Sequence, residues 1–135
     1  MEFLKQYEIL YKKAKTDLKA AKNLLEDFEN GDEDLDLETI LFHLQQCSEK
    51  LFKTILSFNQ KHFTKTHDLE TLYDVIVESN IFLENDIKEL LPLSEYAVEG
   101  RYAIIHDDIE DTHNYINILD EFKIFVEKMI KAENI

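Results

Sequence analysis

Of the 15 lysines and arginines in the chain, all but Arg101 are lysine. Five residues after that arginine stands a histidine, in the run Arg101-Tyr102-Ala103-Ile104-Ile105-His106. A guanidinium presents a fixed fork to phosphate or carboxylate and never deprotonates, which an ammonium cannot match. Imidazole is the side chain that gains and loses a proton near neutral pH. A lone arginine spaced to meet a histidine is therefore the first place to look for chemistry. The spacing alone is a weak motif, and its weight depends on the elements around it.

Composition narrows those elements. A length of 135 residues predicts one domain, 1–135, with room for a real core. Two glycines and one proline leave little turn chemistry, and a chain so poor in both is expected to be helical. No uninterrupted apolar run is long enough to span a bilayer. The opening residues carry no signal-peptide core. One cysteine, Cys47, excludes an internal disulfide. These features point to a reducing cytoplasm and no membrane. The net charge of −14 argues against binding nucleic acid by bulk attraction. Between Asn23 and Glu49 there is no lysine or arginine, and between Glu89 and Phe122 the only one is Arg101. Such acidic runs are solvated faces or docking faces for a basic partner.

The hydrophobic pattern is helical throughout. Leu4, Tyr7, Tyr11, Ala14, Leu18, Ala21, Leu25 and Phe28 predict an amphipathic helix of about seven turns, ending at Asn30-Gly31. Asp36 suits the N-cap of a second helix running to about Phe58. Ile40, Leu44, Cys47, Leu51 and Ile55 form its stripe, and Glu49 and Lys53 pair along it. Asp68 caps a short helix reaching about Asn80. A fourth helical stretch, Asp86 to Gly100, is interrupted at Pro92. Asp107 to Asp111 suits the start of the last helix, with Tyr115, Ile118, Leu119, Phe122, Val126, Met129 and Ile130 on one face. The expected fold is all-α, an up-and-down bundle of four to five helices.

Two stretches go beyond a generic bundle: Gln45-Gln46-Cys47-Ser48-Glu49-Lys50 and Lys65-Thr66-His67-Asp68-Leu69. With Tyr96, Arg101 and Tyr102 downstream, they resemble the HEPN family over nearly the whole chain. The resemblance implies a helical bundle that dimerises. It also implies a metal-independent ribonuclease, often a toxin paired with a small nucleotidyltransferase antitoxin, that needs no cofactor. Arg101 and His106 match the family's Arg-to-His motif as catalytic residues, with Tyr102 and Asp107 as candidate binding residues for RNA or a nucleotide. In the implied mechanism a ribose 2′-hydroxyl attacks the adjacent phosphate. His106 moves protons and Arg101 stabilises the developing charge. The alternative is a non-catalytic dimer serving as nucleotide-binding or accessory subunit of a nucleotidyltransferase.

The chain departs from the family at two places. Asp108 stands where one branch has an adenylylated tyrosine, and Ala103 where another has proline. Each residue also has a structural reading. Arg101 can pair with Asp107 or Asp108, Tyr102 can pack, His67 can be a turn residue, and Glu49 can join helices. His106, Asp108, Asp111 and His113 can be drawn as a metal cluster, but acidic helix starts are common, and no metal site is expected.

Overall fold

The computed structural model describes residues 5–97 and 107–132. Five helical elements follow one another, and no strand occurs among these residues. They are α1 (Gln6–Glu29), α2 (Leu37–Phe58), α3 (Leu69–Glu78), a 3-10 helix (Lys88–Tyr96) and α4 (Ile109–Ala132). The chain is all-α, as its periodicity predicts.

Helix α2 is the centre, packing against every other element. Its buried residues run nearly all the way round it: Ile40, Leu41, Leu44, Cys47, Leu51, Phe52, Ile55 and Leu56. A helix apolar on most sides must be covered on most sides. Helix α1 covers one flank along its length, with Ala14 and Ala21 fully buried beside Leu18 and Leu25. Helix α4 brings Tyr115, Leu119, Phe122 and Val126 to the core. There the rings of Phe52 and Phe122 meet edge to face, with centroids 5.8 Å apart.

The helix ends follow one rule. After α1, Gly31 takes φ +94°; its amide bonds Phe28 O, and the Asp32 amide bonds Asp27 O. This is the Schellman arrangement, in which amides beyond the helix satisfy orphan carbonyls of its last turn. Helices α2 and α3 end the same way, with Gln60 at φ 56° and Asn80 at φ 57° in the glycine position. The starts of α2 and α3 are carboxylate-capped: Asp36 accepts from the Thr39 amide at 2.7 Å and Asp68 from the Glu70 amide at 3.3 Å.

The fourth stretch differs from expectation. The sequence predicts helix from Asp86, interrupted at Pro92, whereas residues 88–96 form 3-10 turns with Pro92 inside. Proline offers no amide hydrogen and its ring crowds the preceding turn, so α-helical bonding cannot run through it. Among the described residues, no helix is long and apolar enough to cross a membrane.

Candidate functional site

Helix α4 begins at a reciprocal carboxylate box. The Asp111 amide donates to Asp108 Oδ1 at 2.8 Å, and the Asp108 amide donates to Asp111 Oδ2 at 3.0 Å. Two of the amides left without intrahelical partners at the helix start are thereby satisfied. The Asp111 amide bond, ahead of other contacts, holds the Asp108 carboxyl below the usual aspartate range. Asp108 is thus a helix cap, at the position where one family branch has its tyrosine.

Asp107 is fixed from two sides. The phenol of Tyr96, in the 3-10 helix, donates to Asp107 Oδ2 at 2.8 Å. The phenol of Tyr115, in α4, donates to Asp107 Oδ1 at 3.1 Å. Both rings are buried, so each hydroxyl needs a partner, and one carboxylate serves both. Burial, then the Asp107 charge, pushes the Tyr115 phenol well above the tyrosine range. Asp107 therefore ties the end of the 3-10 helix to the start of α4. Arg101, Tyr102 and His106 lie outside the described residues; Asp107 is the sequence neighbour of His106.

A second polar hub joins the two family-like stretches. Glu49 on α2 is 5% exposed. Its carboxylate accepts from Gln45 Nε2 at 3.1 Å and Lys53 Nζ at 2.9 Å, and lies 2.9 Å from His67 Nδ1. Gln45 Nε2 also reaches the His67 carbonyl at 3.1 Å. Burial opposes ionisation of Glu49, but the hydrogen bonds from Lys53, His67 and Gln45 together outweigh it and hold the carboxyl below the glutamate range. His67, expected as a turn residue, is the clip that fixes the α2–α3 connection onto α2.

These two places are linked in series. Two residues past His67, the Leu69 amide donates to Ser94 Oγ at 2.9 Å. Two residues past Ser94 stands Tyr96, which holds Asp107. Elements far apart in sequence are thus brought into one succession: Glu49 to His67, Leu69 to Ser94, Tyr96 to Asp107, Asp107 to Tyr115. Tyr115 sits in the apolar stripe of α4 and reads there as core. The signal of a further role is its hydroxyl, which a core position must satisfy.

Of the metal alternative, His106 lies outside the described residues and the other three side chains are otherwise engaged. Asp108 and Asp111 bond each other's amides, and His113 Nε2 lies 2.6 Å from Glu29 Oε1 on α1. Among the described residues no three His, Cys, Asp or Glu side chains gather as a metal site.

No curated protein and no solved structure matches the chain. A family model does: the HEPN domain model matches residues 7–129, all but the two ends. Within that span lie both family-like stretches, the hydrogen bonds between them and the Arg101-to-His106 run, and the chain belongs to the HEPN domain family.

Proposed function

We propose that this chain is the toxin-type, metal-independent ribonuclease subunit of a HEPN/nucleotidyltransferase pair, with Arg101 and His106 as its catalytic residues. The observation that carries the reading is the series of bonds running from Glu49 to Asp107. It anchors the residue next to His106 to three helical elements, which is what a histidine that must meet a phosphate requires. His106 takes the proton from a ribose 2′-hydroxyl as its oxygen attacks the neighbouring phosphorus. The P–O5′ bond breaks, a 2′,3′-cyclic phosphate forms, and the leaving 5′-oxygen is protonated. Arg101 stabilises the charge on the non-bridging oxygens. A homodimer supplies two such pairs to one cleft, so one histidine serves as base and the other as acid.

RNA cleavage by the wild type, Arg101→Ala and His106→Ala tests this reading. Each substitution is expected to lower the rate by about 10²-fold or more. Equal background-level cleavage by all three proteins overturns it.

A second reading is favoured by Asp108. Its carboxylate is engaged in the helix cap, so this position offers no phenol to accept a nucleotidyl group. With a net charge of −14, a non-catalytic dimer acting as nucleotide-binding or accessory subunit of a nucleotidyltransferase accounts for both features. Nucleotide binding without RNA turnover distinguishes it.

A further inference from the structure

The end of α1 and the first turns of α4 flank an open groove of about 380 Å³. Its floor is apolar, formed by Leu25 and Ile116. Its rim carries Glu26, Glu29 and Asn30 on α1 and His113 on α4. Lys22 also stands on the rim, where Asp120 holds it in an ion pair. Glu29 faces His113.

We propose that this groove docks a cationic, amphipathic peptide segment of another protein. The occupant's sign follows from the surroundings. In sequence, the rim residues of α1 run on into the exposed acidic turn Asp32-Glu33-Asp34, and the exposed Glu110 and Asp111 precede His113. The last turn of α1 holds no basic residue, and the C-terminal end of its dipole adds partial negative charge. The N-terminal dipole of α4 has the opposite sign, but Glu110 and Asp111 sit at that end. The potential there attracts cations and repels RNA phosphate.

The apolar floor decides between a peptide and a small cation. Leu25 and Ile116 offer nothing to an ammonium, whereas an aliphatic side chain entering between acidic walls removes apolar surface from water. The volume admits such a side chain, and lysines or arginines on either side of it reach Glu26 and Glu29. The occupant is therefore a segment with apolar residues flanked by bases. None of the groove's lining residues belongs to the proposed catalytic pair, so the proposal is tested independently of the ribonuclease reading.

Fluorescence anisotropy with a labelled lysine–leucine peptide tests it, beside a lysine–alanine peptide of equal charge. The protein variants are Glu26→Lys/Glu29→Lys and, as a control changing net charge equally, Asp74→Lys/Glu78→Lys. The control pair lies on α3, which touches neither α1 nor α4 among the described residues. Binding of the leucine peptide is expected to weaken about tenfold or more in the rim variant and about twofold at most in the control. The alanine peptide is expected to bind wild type about tenfold more weakly than the leucine peptide. If circular dichroism shows the rim variant unfolded, Glu26→Gln/Glu29→Gln replaces it. Equal weakening by the rim and control variants, equal affinity for the two peptides, or no binding of the leucine peptide overturns the proposal.

Discussion

The α1–α2 hairpin and the segment from Asn80 to Asp108 are held by different forces. In the hairpin, two long helices bury a continuous apolar seam from Tyr11 to Leu25 against α2. Each side chain contributes a share, and the loss of one leaves the rest in place. The described part of the second segment has 3-10 turns around Pro92; it buries Ile87, Leu90 and Leu93 in the same core and adds single polar ties at Ser94, Tyr96 and Asp107. Apolar burial is non-directional and spreads its effect, whereas a hydrogen bond acts at one point and in one direction. The described residues on either side of the Arg101-to-His106 run thus carry point attachments in addition to apolar burial, and the α1–α2 seam rests chiefly on apolar burial.

The sharpest way to separate the two regimes is to remove a core ring. Phe52→Ala, at a fully buried position facing Phe122, is expected to cost about 4 kcal/mol in denaturant unfolding. Amide exchange should then speed up everywhere together. A loss confined to the Asn80–Asp108 segment would show that this segment, not the hairpin, rests on that ring.

The next effect in size belongs to Glu49. Glu49→Gln is expected to cost about 2 kcal/mol, and the cost should depend on pH. The folded carboxyl lies below its unfolded value, so its stabilisation is fully present above the ordinary glutamate pKa and is lost as pH falls through the folded one. Acid titration of stability should therefore be shallower in the variant over that window. Parallel curves would mean that Glu49 carries no titrating share.

The smallest effect should be the most local. Tyr115→Phe removes one donor from Asp107 and is expected to cost about 1 kcal/mol. Hydrogen exchange should rise around Asp107 to Thr112 with little change along α1 and α2. If α1 loses protection equally, the point-attachment account of this region fails.

The same division explains what could be read from the chain alone. Helices α1, α2 and α4 were legible because their apolar residues repeat with the helical period, and Asp36, Asp68 and Asp108 stand where amides need acceptors. Gly31 marked the end of α1, whereas Gln60 and Asn80 adopt the same left-handed turn with side chains that do not announce it. The 3-10 turns were legible only as an interruption at Pro92. Of the site, Arg101 and His106 are visible as a spacing and lie outside the described residues, and Asp107 was marked by its neighbour. The Glu49–His67 tie and the paired phenols on Asp107 were hidden, because they join residues 18, 11 and 8 positions apart across turns that no periodicity encodes.

Cys47 has a consequence of its own. It is 1% exposed on α2, the sole thiol in a chain without tryptophan. Burial, before any charge nearby, pushes that thiol above its usual range, so in the closed molecule it is both out of reach and protonated. An alkylating reagent can label it only when α2 is laid bare, and every labelled molecule records one such excursion. The labelling rate is a clock for the opening of the helices that cover α2.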